Sequence, residues 1–151
     1  MFGRSDIFRR GEGRIYSLGR LTLAFKSTPP TYSLCEGSGP PGSGATLHRH
    51  STYDEMHIVI EGHCEVQLDG KKAILGPGDM LFVPRRAIHG LTTLGPEPGR
   101  QLIISTPAGV FEAFVSETSA AQASGINPLT DDGKAAMRAI ASKHGLEFVT
   151  P

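Results

Sequence analysis

The sequence contains few cysteines, which excludes the folds and sites that depend on several thiols. Cys35 and Cys64 are the two cysteines among 151 residues, and neither belongs to a Cys-x-x-Cys pair. A disulfide or a nucleophilic cysteine therefore has little support. Cys64 alternates with Val66 and Leu68, a pattern that indicates a buried apolar thiol. We predict two free structural cysteines in a reducing compartment.

The sequence also lacks an excess of charge of one sign and any long apolar run. Lysine plus arginine and aspartate plus glutamate number 15 each, so no electrostatic footprint for nucleic acid or an anionic membrane stands out. No apolar stretch approaches the length of a membrane span, and residues 1–6 lack the apolar core of a secretory signal. The simplest prediction is a cytoplasmic protein that binds neither nucleic acid nor membrane.

The chain is long enough to form one domain that buries its own core. Its basic cluster consists of four arginines within the first fourteen residues, with glycines between them. This pattern predicts a solvated, flexible N-terminal arm over residues 1–13.

Residues 14–106 carry the pattern of an all-β unit, with short alternating runs separated by glycine, proline and polar turns. Residues 21–26 alternate as a half-buried strand, and Asp69-Gly70 is the strongest two-residue hairpin signal. Glycine, proline and serine crowd into residues 37–44, which predicts a loop. Many short antiparallel strands must cover their edges, so we predict a jelly-roll β-barrel.

Residues 107–151 change to the apolar period of helices and are predicted to form a helical extension of the barrel. Thr106 is predicted to cap a first helix that has Pro107 at its first position. The apolar stripe of this helix is Val110, Phe111, Phe114 and Val115. A polar connector over residues 116–128 leads to a second helix, and residues 146–149 are predicted to form a tail strand.

The candidate functional residues are two histidines, a glutamate and a distant third histidine. His48 and His50 are two apart, so both imidazoles leave the same face of a strand and can converge on one point. Glu55 follows a turn-like segment at residues 51–54 and begins an apolar run, so a hairpin would bring its carboxylate back beside them. His89 lies well downstream.

The spacing of glycines around these residues resembles the signature motifs of the cupin superfamily. The first motif is matched by Gly42, His48, His50, Glu55 and Gly62, and the second by Gly78, Pro84 and His89. The family pattern has glycine where Arg86 stands and asparagine where Thr93 stands, and neither is a ligand position. The resemblance extends over residues 20–106. The same stretch, together with residues 105–114, is similar, more narrowly, to single-domain cupins described as quercetin-dioxygenase-like. The resemblance implies a small antiparallel barrel with a metal site of three histidines and one glutamate.

Three neutral imidazoles and one carboxylate form a borderline ligand set that suits iron, nickel, copper, zinc or manganese. Such a set leaves coordination positions open for a substrate. We predict one divalent transition metal per chain at His48, His50, Glu55 and His89. The alternative is that the two nearby histidines lie on a polar surface strand and that Glu55 caps a turn.

Two residues are candidates for acid or base chemistry beside the metal. A carboxylate at such a site can accept a substrate hydroxyl proton, and the resemblance gives this role to Glu55; the alternative is a purely structural ligand. His57 lies two residues further on and shares the inward face, where relatives carry an apolar or aromatic residue. It is a candidate acid, base or fifth ligand, or else a buried histidine held by a backbone carbonyl.

Five other polar or aromatic side chains are assigned individually. His63 falls on the outward face of its strand, and His144 is predicted to interact with the dipole of the second helix. Arg86 either reaches an anionic or phenolate substrate or remains a solvated turn arginine. Tyr32 and Tyr53 either line a pocket mouth or pack in the core and rim.

Three classes of function are compatible with these residues. The first is a metal-dependent dioxygenase acting on a phenolic or enolisable small molecule such as a flavonol, with Glu55 taking the substrate proton. The second is a non-oxidative isomerase, cyclase or lyase in which Glu55 and His57 move protons, and the third is a non-enzymatic protein that binds small molecules. We also expect a homodimer that pairs barrel edges through residues 21–25.

Overall fold

The structure is a computed structural model that describes residues 6–27 and 30–150. The strands are β1 (Arg14–Leu18), β2 (Leu21–Ser27), β3 (Ser33–Gly39), β4 (Gly44–His50), β5 (Asp54–Glu61), β6 (His63–Leu68), β7 (Lys71–Leu75), β8 (Met80–Val83), β9 (His89–Leu94), β10 (Gly99–Thr106) and β11 (Leu146–Phe148). The helices are α1 (Val110–Ala123) and α2 (Asp131–Lys143). Neither helix in the described ranges has the length and apolar character needed to cross a membrane.

Two antiparallel sheets make up most of the fold. The first has the strand order β1-β2-β3-β10-β5-β8, and the second has the order β11-β4-β9-β6-β7. Within the part of the chain that is described, hydrogen bonding does not continue from one sheet into the other, so the barrel is not closed. The prediction of an all-β domain followed by helices is confirmed.

Two clusters of buried apolar side chains hold the layers together. One joins the two sheets and contains Val59, Cys64, Val66, Leu81, Val83, Ala87 and Leu91. The other packs the helices against the first sheet and contains Leu23, Phe25, Cys35, Ile103, Phe114, Val115, Ala141 and Leu146. Cys35 and Cys64 are both free and buried, so each thiol serves as a small apolar side chain in one cluster, as predicted.

The hairpin between β6 and β7 has the predicted two-residue turn. Asp69 and Gly70 adopt φ angles of 46° and 82°, and the strands pair from Leu68↔Lys71 to Cys64↔Leu75. Both turn residues have positive φ, as the twist of a tight hairpin requires.

The strand predicted over residues 21–26 is neither half-buried nor an edge. β1 pairs with β2 from Arg14↔Phe25 to Leu18↔Leu21, and β3 pairs with its other side. Residues 21–25 are therefore not the open edge on which the predicted strand pairing of a homodimer depends, because β1 already occupies that side of β2. The edges of this sheet are β1 and β8, and dimer formation itself stays a prediction.

The loop predicted over residues 37–44 is shorter than expected. β3 continues through Gly39, so the connection to β4 consists of residues 40–43. Gly37 belongs in the strand because a Cβ there would approach side-chain atoms of Ile103 and Leu23 to 3.1 and 3.3 Å. Glycine thus serves here to admit neighbouring side chains rather than to break the strand.

The connection between β4 and β5 is not the predicted hairpin. The two strands belong to different sheets, and residues 51–53 cross from one sheet to the other. Glu55 therefore approaches the histidines of β4 across the space between the sheets, not along a shared hydrogen-bonded ladder.

The first helix begins and ends later than predicted. Thr106 is the last residue of β10, where it pairs with Asp54, and its Oγ1 donates to the carbonyl of Thr31 at 2.8 Å. It cannot also cap a helix, and the N-cap is Gly109. At the other end α1 continues to Ala123, because no glycine or proline interrupts the predicted connector until Gly125.

The second helix and the tail strand are found where they were predicted. Thr130 caps α2 by accepting a hydrogen bond from the N–H of Gly133 at 3.1 Å. β11 then pairs with β4, with Leu146 opposite His50 and Phe148 opposite His48. The tail strand therefore covers the open edge of the strand that carries two candidate ligands.

A buried ion pair connects β2, β3 and the segment before β1. Lys26 Nζ lies 2.9 Å from Glu36 Oε2 and donates to the carbonyls of Arg9 and Glu12 at 2.9 and 3.0 Å. Burial alone would raise the pKa of Glu36, but the hydrogen bond from Lys26 and the charges of Lys26 and Arg100 hold it below its usual value. Residues 9–12 of the predicted arm thus fold against the sheet.

We predict that Lys26→Met lowers the free energy of unfolding at pH 7 by about 3 to 5 kcal/mol, because it leaves the Glu36 carboxylate buried without its main partner. Urea denaturation measures the change. The control is Lys72→Met, which removes an exposed pair with Glu65 at 3.6 Å and should cost no more than about 1 kcal/mol. Equal losses in both variants would contradict the prediction.

The same comparison has a defined pH dependence. Because the folded-state pKa of Glu36 is lowered, the pair stabilises the fold above the unfolded-state pKa of glutamate, about 4.3. This stability is lost as the pH falls through the folded-state pKa. The difference between the parent and Lys26→Met should therefore shrink below about pH 4.

Candidate metal centre

Three histidines converge on one point in the second sheet. His48 and His50 lie on one face of β4, and His89 is the first residue of β9, directly opposite His48. The ring centroids of His48 and His89 are 4.1 Å apart, and those of His50 and His89 are 4.8 Å apart. One ring nitrogen from each histidine lies within 4.8 Å of the others, so the group can hold a metal ion.

A backbone carbonyl orients each of the three imidazoles. The Nδ1 atoms of His48 and His50 lie 2.8 Å from the carbonyls of Thr46 and Tyr53, and Nδ1 of His89 lies 3.0 Å from that of Ala87. Since a carbonyl only accepts, the proton of each neutral ring is on Nδ1. Every Nε2 therefore carries a free lone pair, as a metal ligand must.

Glu55 enters the same space from β5 in the opposite sheet. Its Oε2 lies 3.4 Å from Nε2 of His50 and 3.4 Å from Nε2 of His89. Both of these buried nitrogens lack a hydrogen-bond partner among the described residues. Two buried imidazole nitrogens without hydrogen-bond donors, beside a carboxylate, fit a divalent transition metal. The metal would accept the lone pairs of these nitrogens.

The electrostatics of the cluster keep two of the candidate ligands, His48 and Glu55, in the forms that bind a metal. Burial and the neighbouring His89 lower the pKa of His48 to about 4, so the ring is neutral at pH 7. Burial alone would raise the pKa of Glu55, but the charge of His57 and the nearby imidazoles of His50 and His89 hold it well below its usual value. The Glu55 carboxylate and the neutral ring of His48 therefore coexist at neutral pH.

His57 lies inside the domain, as the parity of β5 predicts, and its side chain is 8 % exposed. Nε2 of its ring is 3.0 Å from Glu55 Oε2, and Nδ1 is 2.8 Å from Oε1 of Gln101. Burial alone would lower the pKa of His57, but the charge and hydrogen bond of Glu55 outweigh it and the pKa is raised. His57 thus connects the candidate ligand Glu55 to the side-chain amide of Gln101 through hydrogen bonds.

Gln101 was not among the residues that the sequence singled out. It lies on β10, which pairs with β5, and a one-residue shift in the register falls between Arg100 and Gln101. An inward-facing glutamine on a mostly apolar strand is a weak signal, and its partner is 44 residues away in the chain. Only the pairing of β10 with β5 brings the amide to His57.

Tyr53 packs in the core rather than at a pocket mouth. It is 1 % exposed, and its ring stacks on that of His50 with centroids 3.9 Å apart and planes 10° from parallel. Its backbone carbonyl accepts the hydrogen bond from the same histidine. Tyr53 therefore fixes both the plane and the tautomer of His50. Tyr32 is exposed and lies on the surface.

The remaining predicted residues lie outside the cluster. His63 is exposed, as expected. His144 forms the C-cap of α2, and its Nε2 lies 2.7 Å from Glu117 Oε2. Arg86 is an exposed residue of the β8–β9 turn with φ of 71°, and its N–H donates to the carbonyl of His50 at 2.8 Å. The position at which the resemblance expects glycine is thus occupied by a strained arginine that contacts a candidate ligand, His50.

Comparison with known proteins finds a family match in the central part of the chain. Residues 38–105 match the family model described as Cupin_2, a cupin domain. This segment contains all four residues of the cluster and His57. The two antiparallel sheets correspond to the barrel expected for that family.

Two curated relatives have named roles. The chain is 31% identical over 87 residues to quercetin 2,3-dioxygenase from Bacillus subtilis, a match that covers 55% of this chain and 26% of that protein. It is 36% identical over 62 residues to the pectin degradation protein KdgF from Dickeya dadantii, with 41% of this chain and 54% of that protein covered. The chain thus spans about half or less of the length of these relatives.

The fold also resembles a solved structure over most of the chain. KdgF from a Halomonas species has a TM-score of 0.65 and 23% sequence identity, with 70% of this chain and 96% of that chain covered. At this identity the likeness supports the jelly-roll fold and carries no information about activity.

We predict that the purified protein binds about one transition-metal ion per chain and that His48→Ala/His50→Ala lowers the metal content at least about tenfold. Elemental analysis of protein prepared without chelators measures the ratio. His63→Ala, which removes an exposed histidine, should retain the parental content. Equal metal content in the parent and the double variant would show that these histidines are not ligands.

Proposed function

Since residues 38–105 of this chain match the cupin family, we propose that the protein is a metal-dependent dioxygenase acting on a phenolic or enolisable small molecule such as a flavonol. The proposed barrel spans residues 14–106, between an N-terminal arm and the helical extension. One divalent transition metal per chain, of the group iron, nickel, manganese, copper or zinc, would be held by four residues. These are His48, His50, Glu55 and His89.

The observation that best supports this function is the position of one carboxylate oxygen. Glu55 Oε2 lies 3.4 Å from Nε2 of two histidines of the cluster and 3.0 Å from Nε2 of His57. The same oxygen is therefore within reach of both the ligand set and a second group that can carry a proton. A carboxylate so placed can act as a base beside a Lewis acid.

A transition metal at this site supplies Lewis-acid stabilisation of negative charge on a bound substrate oxygen and, if redox-active, supports reaction with dioxygen. The protein residues handle the proton. Glu55 accepts it from the substrate hydroxyl, and His57, whose ring is held by Gln101, donates a hydrogen bond to the Glu55 carboxylate. Deprotonation makes the substrate electron-rich, and dioxygen then cleaves the activated ring, with both oxygen atoms entering the products.

The burial of the site supports this chemistry. His50, Glu55 and His89 are each 4 % exposed or less. A water-poor surrounding strengthens the interaction between a deprotonated substrate and the positively charged centre. It also protects a reactive intermediate from water.

A second candidate is a non-oxidative isomerase, cyclase or lyase. Proton transfer between two carbon atoms or two oxygen atoms needs one group to remove a proton and another to return it. Glu55 and His57, in hydrogen-bond contact at 3.0 Å, form such a pair. The likeness to a protein of pectin degradation also supports a function that differs from dioxygenation.

We predict that the metal-loaded protein consumes dioxygen with at least one member of a flavonol and catechol panel, and that Glu55→Gln lowers the rate by roughly a hundredfold to ten-thousandfold. An oxygen electrode and product mass spectrometry measure uptake and ring cleavage. Metal content is measured in the same samples, because Glu55 is also a proposed ligand. A rate loss at equal metal content assigns the residue to proton transfer.

The control variant for this assay is His63→Gln, which changes an exposed histidine and should keep the parental rate. Conversion of a substrate without oxygen uptake would reject dioxygenation in favour of the second candidate. Saturable binding of the panel without any conversion would favour the third class of function, a non-enzymatic protein that binds small molecules.

We predict that His57→Phe keeps the fold and the metal content but lowers the rate by roughly a hundredfold or more, because an aromatic ring fills the space without carrying a proton. Gln101→Met should lower the rate less, by about tenfold, because it removes only the acceptor that orients His57. Circular dichroism and elemental analysis check the fold and the metal. An unchanged rate in His57→Phe would remove this residue from the proposed reaction.

A further inference from the structure

A cavity of about 650 Å³ lies beside the metal centre, where β4, β11, the end of α2 and the β8–β9 turn meet. Its lining includes Arg49, Arg86, Arg138, Leu146, Glu147 and Phe148. None of the three converging histidines and neither Glu55 nor His57 lines this cavity. The cavity is therefore separate from the residues of the candidate metal centre.

The cavity carries positive charge that the described protein does not neutralise. Among its three arginines, Arg49 is paired, since its Nε and Nη2 lie 2.9 and 2.7 Å from Glu147 Oε2. The guanidinium groups of Arg86 and Arg138 have no hydrogen bond or ion pair with any residue in the described ranges. Two unpaired guanidinium groups thus share one concave surface, in a chain whose formal net charge is zero.

Arg86 occupies this position at the expense of backbone strain. Its φ of 71° lies in the left-handed region, where glycine is favoured. The other described non-glycine residue with positive φ is Asp69, whose hairpin turn requires it. The β8–β9 turn holds Arg86 in this conformation, since the N–H of Ala87 donates to the carbonyl of Pro84 at 3.2 Å and the N–H of Arg86 donates to that of His50 at 2.8 Å. The turn thereby places the Arg86 side chain in the lining of the cavity.

The remaining lining suits the body of an organic molecule. Leu146 and Phe148 supply apolar surface, and the hydroxyl groups of Ser51 and Ser142 supply hydrogen-bonding groups. Guanidinium groups bind the oxygens of phosphate and carboxylate through fixed pairs of N–H donors. The positive charge and the apolar surface together suit an organic molecule that carries a phosphate or carboxylate group.

We propose that this cavity binds a small organic anion that carries a phosphate or carboxylate group, with Arg86 and Arg138 contacting the anion and Leu146 and Phe148 contacting its apolar body. The proposal goes beyond the proposed function, because binding here requires neither a bound metal nor turnover. The proposal is therefore tested on protein without bound metal and without turnover.

The cavity is connected to the metal centre through the backbone. The N–H of Arg86 donates to the carbonyl of His50 at 2.8 Å, and Phe148 pairs with His48 across β11 and β4. The ring centroids of Phe148 and His48 are 6.5 Å apart. A ligand held by Arg86 and Phe148 would therefore contact residues that position two of the histidines.

The experiment titrates the metal-free protein with phenyl phosphate, benzoate and neutral benzyl alcohol, following binding by calorimetry and by the rise in melting temperature. We expect saturable binding of at least one anion and none of the alcohol. The binding should weaken with added sodium chloride, since salt screens exposed charges. Stronger binding of phenyl phosphate than of benzoate identifies a phosphate site, and the reverse order identifies a carboxylate site.

Two variants test the proposed contacts. Arg86→Gly and Arg138→Gln should each weaken anion binding by about tenfold or more, because each removes a charged hydrogen-bond donor. Arg86→Gly should melt at the parental temperature or above it, because glycine adopts the observed φ without strain. Its loss of binding then cannot be attributed to unfolding.

The matched control is Arg20→Gln, which removes an exposed arginine outside the cavity. It should leave the anion affinity unchanged. The proposal is overturned if neither anion binds saturably, if benzyl alcohol binds as tightly as the anions, or if Arg20→Gln weakens binding as much as the cavity variants do. These outcomes leave the metal assignment and the proposed reaction untouched.

Discussion

The burial of one carboxylate governs the organisation of this protein. Glu55 is removed from water, and an isolated charge in such a position would cost several kcal/mol or become protonated. Imidazole nitrogens surround it instead, and these come from the other sheet and from its own strand. The two sheets must therefore hold a fixed spacing at this point, and the space that they enclose becomes a polar centre within an apolar fold.

Short-range backbone contacts make this centre rigid. Two of the histidines donate to carbonyls two residues earlier in the chain and one donates to a carbonyl three residues later. Each ring is thus oriented by a carbonyl within three residues of it in the chain. The stacking of Tyr53 on His50 adds an apolar support to one of these hydrogen-bonded rings. Ligand orientation does not rely on the long connections of the fold.

Local patterns were sufficient to predict the hairpin at residues 69–70, the tail strand, the second helix and the inward face of β5. The two-residue spacing of His48 and His50 predicted their convergence. Crossing of the chain between sheets after His50 was not predictable, because turn residues alone cannot distinguish a hairpin from a sheet change. The partnership of His57 with Gln101 and the buried Lys26–Glu36 pair also depend on strand pairing between distant segments.

The pairing of β11 with β4 has a consequence for the order in which the chain is made. His50 and its partner Leu146 are 96 residues apart, the difference between their positions. At ~5 to 20 residues per second, a growing chain exposes the histidine strand for roughly 5 to 20 s before its edge partner exists. During this interval its unpaired N–H and C=O groups are open to other strands. The strand that carries two of the candidate ligands is thus open to misassociation in the nascent chain until β11 is made.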